Sequence, residues 1–74
     1  MLSDAQIRKA SLPDGKKVLR LHDGGGLYFR IRRGARGLLR DWVFRFTYAG
    51  KRREVRIGPY PEVSLREARA RAAE

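Results

Sequence analysis

Arginine recurs at alternate positions in three short stretches of this 74-residue chain: Arg30 and Arg32, then Arg45, then Arg52 and Arg56. Alternate residues of an extended segment project to one side. Collected by parity, that side holds Tyr28, Arg30, Arg32, Val43, Arg45, Thr47, Arg52, Glu54 and Arg56, so five of nine residues are arginine and one is acidic. A guanidinium is a planar fork that grips phosphate oxygens, or guanine O6 and N7, at two points at once, which an ammonium cannot do. A face built only for solubility mixes its signs, and like charges on neighbouring strands repel. The pattern therefore calls for an external anion. Val43 and the Thr47 methyl suit a thymine methyl, and Glu54 can accept from cytosine N4 or orient Arg45 or Arg56. The base-reading candidates are thus Tyr28, Arg30, Arg32, Val43, Arg45, Thr47, Glu54 and Arg56. Arg36, Arg40, Lys51 and Arg53, expected in flanking loops or turns, are candidates for phosphate contact together with Arg52. Arg53 has the parity of the apolar side and is expected at a frayed edge. The plainer alternative is a solvated, charged sheet face.

Composition points the same way. Lys and Arg number 18 against 8 Asp and Glu, a formal charge of +10. Such a balance implies a polyanionic partner. There is no cysteine, and His22 is the only histidine. Disulfide scaffolds and thiolate metal sites are excluded, and no metal or other cofactor is expected. No apolar run exceeds three residues, far short of the roughly 20 a membrane helix needs. The N-terminus has neither the basic region nor the apolar region of a signal peptide, so a cytoplasmic protein is expected. Seven aromatics and clear alternation argue against disorder. The length accommodates one small domain with a thin core, and leaves no room for an enzyme with two substrate pockets.

The elements that must hold the arginines follow from periodicity and punctuation. Ser3 and Gln6 form an S-x-x-Q capping box opening a short helix from Ser3 to Ala10, with Leu2 and Ile7 as a hydrophobic staple. Pro13-Asp14-Gly15 ends it in a turn. Val18 to Leu21 reads as a short extended piece, and His22-Asp23-Gly24-Gly25-Gly26 as a turn. Three strands follow: Leu27 to Arg33, Arg40 to Tyr48, and Lys51 to Ile57. Leu27, Phe29, Ile31, Trp42, Phe44, Phe46, Tyr48, Val55 and Ile57 alternate with the polar set. Gly34 to Gly37 is a loop, and Ala49-Gly50 a two-residue hairpin turn. Gly58-Pro59-Tyr60-Pro61 breaks the sheet. Ser64 and Glu67 form a second capping box, and the helix it opens, with Leu65, Ala68 and Ala72 on one stripe, is expected to run to the end of the chain uncapped. The fold class is α+β: a three-stranded antiparallel meander packed on a C-terminal helix, with a short N-terminal helix.

Other motifs are weaker. Gly24-Gly25-Gly26 lacks the lysine and the following helix of a phosphate loop and reads as a turn. His22 beside Asp23 has no nucleophile to serve. Trp42, Phe44 and Phe46 resemble a base-stacking platform but share the parity of the core. Only Tyr28 is left for stacking, which favours duplex DNA over RNA. Tyr60 is expected to pack against the sheet edge or helix, and Arg69 and Arg71 to point elsewhere than the core.

The ordered set of motifs resembles a known family. It comprises Leu2-Ser3-Asp4 with Ile7-Arg8-Lys9-Ala10, Asp23-Gly24-Gly25-Gly26-Leu27-Tyr28, and Trp42-Val43-Phe44-Arg45-Phe46. Gly50-Lys51-Arg52, Ile57-Gly58-Pro59-Tyr60-Pro61 and Ser64-Leu65-Arg66-Glu67-Ala68-Arg69 complete it. The set is similar to the N-terminal arm-type DNA-binding domain of prophage integrases, which are tyrosine site-specific recombinases. The resemblance covers nearly the whole chain and implies a single domain, residues 1–74, at the N-terminal end of a longer integrase. It implies a three-stranded sheet on a C-terminal helix, with the sheet in the major groove of arm sites that flank the crossover site. Duplex DNA and other integrase domains or protomers would be its partners, with no membrane and no small-molecule substrate. The Arg-Gly-Ala-Arg-Gly loop at 33–37 and the Ala49-Gly50 turn depart from the family pattern. Catalysis in these recombinases needs a tyrosine nucleophile, two phosphate-clamping arginines and a proton-transferring His or Lys. Tyr28, Tyr48 and Tyr60 have no such support, so no catalytic residue is assigned and DNA cleavage is not expected of this chain. Two other classes remain open: a non-specific basic module for nucleic acid or RNA, and a protein-interaction module docking through its C-terminal helix.

Overall fold

The computed structural model describes residues 1–73. Its elements are α1 (Asp4–Lys9), β1 (Val18–Gly24), β2 (Leu27–Gly34), β3 (Gly37–Tyr48), β4 (Lys51–Pro59) and α2 (Leu65–Ala72). The sheet is antiparallel with strand order β1-β2-β3-β4, so it has four strands, not three. The extended piece at Val18 is a full strand, paired with β2 from Val18–Arg32 to Gly24–Leu27. It continues through His22 and Asp23, expected in a turn, because a bulge between His22 and Gly24 absorbs one residue. Gly24, Gly25 and Gly26 then reverse the chain, all three at positive φ. The turn at Ala49-Gly50 forms as expected, with both residues at positive φ. β4 runs two residues further than expected: Gly58 and Pro59 pair with Trp42 and Asp41. Proline is tolerated there because β4 is an edge strand.

The helices sit on the apolar face. Ser3 caps α1 with the full reciprocal box to Gln6, and Ile7 is its buried residue. Ser64 caps α2 by accepting the Glu67 N–H. Leu65 and Ala68 of α2 join Leu27, Phe29, Ile31, Trp42, Leu12, Val63 and Ile7 in one core. Trp42 is fully buried, and its indole N–H donates to the Val63 carbonyl at 2.7 Å. Tyr60 packs on Phe29 and Trp42, with ring centroids 5.3 and 6.4 Å apart.

At about 1.5 Å per residue, the eight residues of α2 cover only some 12 Å of sheet. The far half of the β3–β4 hairpin therefore overhangs. Val55, expected in the core, is 47% exposed, and Phe44 and Phe46 are half-buried and stacked on one another.

Arg69 is not on a free helix face. It forms a two-pronged ion pair with Asp23, with Nε and Nη2 2.9 and 2.8 Å from the carboxylate oxygens, and Nη2 also donates to the Leu2 carbonyl. Asp23 in turn accepts the Leu2 N–H. One carboxylate thus ties β1, the N-terminal segment and α2 together.

Candidate nucleic-acid interface

The register settles which side chains share the uncovered face. Tyr28 lies opposite Val43, Arg30 opposite Asp41, and Arg32 opposite Leu39. Val43 lies opposite Arg56, Arg45 opposite Glu54, and Thr47 opposite Arg52. The fourth strand adds Val18, Arg20 and His22 opposite Arg32, Arg30 and Tyr28. Cross-strand partners point to the same side, so this face carries six arginines against two carboxylates.

Asp41 organises its centre. It is 1% exposed, and its carboxylate accepts from three arginines on two flanking strands. Arg30 binds it through both Nε and Nη2, at 2.9 and 2.7 Å. Arg56 donates from Nε at 3.0 Å, and Arg32 from Nη2 at 3.4 Å. Burial pushes the Asp41 carboxyl pKa up. The hydrogen bonds from Arg30 and Arg56 and the charges of Arg30 and Arg32 outweigh that, holding it below the ordinary aspartate value. The same bond holds Arg30 more firmly protonated than a free guanidinium. Glu54 is a lesser centre, 3.4 Å from Arg30 and 3.8 Å from Arg45. Part of the compensation expected from an outside anion thus comes from within the sheet.

Around this core lies a ring of freer groups. Arg45 lies over the Tyr28 ring at 5.7 Å, and His22 stacks on the same ring with centroids 4.7 Å apart. Tyr28, Arg45, Thr47 and Arg52 line a shallow recess at one end of the face. The Nε–H of Arg32 is buried without an acceptor among the described residues. The arrangement is a flat, basic, donor-rich surface that can bind phosphates and base edges.

Residues 2–74 match the arm DNA-binding domain family, a domain found in phage integrases. The chain belongs to that family. No curated protein matched the chain. An arm domain binds DNA and is not a catalytic domain. Among the described residues, no helix is long and apolar enough to cross a membrane.

Within the arm domain, the expected site residues fall into distinct groups. Tyr28, Arg30, Arg32, Val43, Arg45, Thr47, Arg52, Glu54 and Arg56 do share one face. They are not equally available. Val43 is 1% exposed, enclosed between Tyr28 and Arg56 on the neighbouring strands, and has no surface to offer a thymine methyl. The Arg30 side chain is only 15% exposed and is committed to Asp41. Arg36 sits in the β2–β3 turn and Lys51 opens β4, both exposed. Arg40 and Arg53 lie inside strands, not in loops. They pair with Ile31 and Phe46 and so point to the helix side, away from the arginine face. Arg53 instead rests over the Tyr48 ring at 5.9 Å.

Asp41 was not among the candidates, although its parity with Val43 and Arg45 places it on this face. Arg20 and His22 lie outside the expected set: the extended piece holding Arg20 is a paired fourth strand, and His22, expected in a turn, continues it.

Proposed function

We propose that the uncovered face of β2–β4 enters the major groove of a particular duplex sequence. In this reading the arm domain anchors a longer integrase to flanking sites during site-specific recombination. The supporting observation is the fan of Arg30, Arg32 and Arg56 held on one buried carboxylate, with Arg45 and Arg52 exposed beside it. The major groove is about 12 Å wide and admits a narrow β-ribbon. Strands about 4.8 Å apart give the three-strand unit a width of about 10 Å between outer strand axes. Arg45, Arg56 and Arg32 present donors for guanine edges or phosphates, and Glu54 an acceptor for cytosine N4. Arg52 and Arg36 serve as phosphate contacts at the rim, whereas Lys51, opposite Tyr48, has the helix-side parity of Arg53. Cleavage and strand exchange belong to a tyrosine recombinase domain elsewhere in the parent protein.

Selection from a random duplex pool, followed by titration of Arg45→Ala, tests this. The variant is expected to lose about 1–3 kcal/mol on the selected site and to relax preference at one base. Unchanged affinity for both selected and random duplexes would remove Arg45 and its face from the interface. The net charge of +10 supports a second reading, a basic module without sequence preference. In that case selection enriches nothing, and duplex DNA, structured RNA and heparin bind alike.

A further inference from the structure

We propose that β1, the fourth strand, is a phosphate-binding strip: Arg20 and Lys16 on its outward parity, with Lys17 at the sheet's edge between them, grip the DNA backbone at the groove's edge while β2–β4 lie in the groove. This rests on the groove reading above and adds to it a surface and a chemistry of its own.

Width is the first ground. Adding β1 takes the sheet from about 10 Å to about 14 Å between outer strand axes, more than a groove about 12 Å wide can take. One edge strand must then lie over a phosphate ridge. β4 carries Glu54, the face's acceptor for a base amino group, whereas the outward side of β1 carries no carboxylate.

Charge is the second. Arg20 lies directly opposite Arg30, a like-charge pair that destabilises a sheet if uncompensated. Arg30 is drawn the other way, onto Asp41 and Glu54. No acidic partner bonds Arg20, Lys16 or Lys17 among the described residues, and all three are exposed. Asp23, the acid within β1, is buried on the other side and held by Arg69. The remaining nearby acid, Asp14, stands exposed in the preceding turn. The strip therefore has a net positive charge with nothing internal to balance it.

Residue type is the third. Two of the three cations are lysines, which act on phosphate as point charges and lack the fork that reads guanine. The backbone beneath them is fixed: the Arg33 N–H donates to the Lys17 carbonyl, carrying the β1–β2 pairing one residue beyond the strand, so Lys16 and Arg20 have the outward parity and Lys17 stands at the sheet's edge with the parity of Arg33. From Lys17 to Arg20 the chain advances about 10 Å. One DNA strand carries a charge about every 3.4 Å of axis, so the strip meets two or three phosphates.

The test compares the parent with Lys16→Ala/Lys17→Ala/Arg20→Ala and with Arg45→Ala, on a selected duplex and a random duplex, across a salt series. Thermal melting verifies that each variant is folded, and Arg20→Gln alone provides a milder version. The triple variant is expected to lose affinity equally on both duplexes. Its slope of log K against log salt should become shallower by about 2–3, at about 0.9 per phosphate. Hydroxyl-radical footprinting should show protection lost on one flank only. An unchanged slope and footprint, with Arg45→Ala still weakening the selected site, would overturn the strip and leave the groove reading intact. Loss confined to the selected duplex would overturn it too, by making β1 a base reader. If Arg45→Ala and the triple variant both leave binding unchanged, the groove reading fails and the strip falls with it.

Discussion

Replacing Asp41 by Asn separates the two roles of this residue, in stability and in binding. The side chain keeps its size, but one acceptor oxygen becomes an NH2 donor. In the parent, Oδ1 accepts from Arg30 and Oδ2 accepts from Arg30, Arg56 and Arg32. An amide oriented to keep one set turns its own hydrogens toward the other guanidinium. Removing one partner of a buried ion pair costs about 3–5 kcal/mol. Arg56 and Arg32, 53% and 42% exposed, can return to water, but Arg30 cannot. The expected loss is therefore about 2–3 kcal/mol, below the 3–5 range because exposed pairs contribute at most about 1 kcal/mol each. A chain of 74 residues has a total stability of about 4–11 kcal/mol, so the variant stays folded at 25 °C with its Tm lowered by about 10–20 °C. Its effect on DNA should split. The net charge rises by one, so a random duplex binds as well as before or slightly tighter. The selected duplex should lose about 1–3 kcal/mol, because Arg30 and Arg56 are no longer held in place. Fluorescence anisotropy on both duplexes at fixed salt reads the split. If the selected and random duplexes tighten together, the arginines do not depend on Asp41 and its positioning role is wrong.

Two further outcomes follow from the same structure. Asp41 and Asp23 both have carboxyl pKa values below the ordinary value of about 4, the second through the Arg69 hydrogen bonds, against a smaller opposing effect of burial. Their contribution is fully present above the unfolded value and is lost as pH falls through the folded one. Thermal melts should be flat from neutral pH to about 5 and fall below about 4, with a smaller acid-side drop in Asp41→Asn/Asp23→Asn; parallel curves would contradict this. Gly26→Ala should destabilise by several kcal/mol, because Gly26 has φ 94° and an added Cβ would meet the Arg45 carbonyl. Urea titration checks it, and a change under about 0.5 kcal/mol would show that the contact between the β1–β2 turn and β3 can give way.

The strands β2, β3 and β4 were legible because period-2 alternation is strong wherever one face is buried and the other is charged. The capping box at Ser3 and Gln6 and the Ala49-Gly50 turn were legible because their chemistry is local. β1 was not. Its Leu19 and Leu21 alternate correctly, but His22, Asp23 and Gly24 look like a turn unless the bulge at Asp23 is known. A bulge is stabilised by what its side chain meets, here Arg69, which is 46 residues away in sequence. The exposure of Val55 was hidden for a similar reason. Parity fixes which side a residue faces, but the reach of α2 decides whether anything covers it.

Asp41 shows where sequence arithmetic stops being informative. A formal charge of +10 and five arginines on one face suggested a surface whose repulsion had to be relieved from outside. One buried carboxylate relieves much of it, because a single Asp at the crossing of three strands serves Arg30, Arg32 and Arg56 at once. The consequence concerns specificity more than affinity. Guanidinium groups on flexible stems bind any phosphate, and net charge alone secures that. Reading a base edge requires each fork to hold its direction, which needs a fixed internal acceptor that the groove does not displace. Asp41 meets that requirement: it is buried beneath the arginines it orients, with its carboxylate oxygens occupied by them.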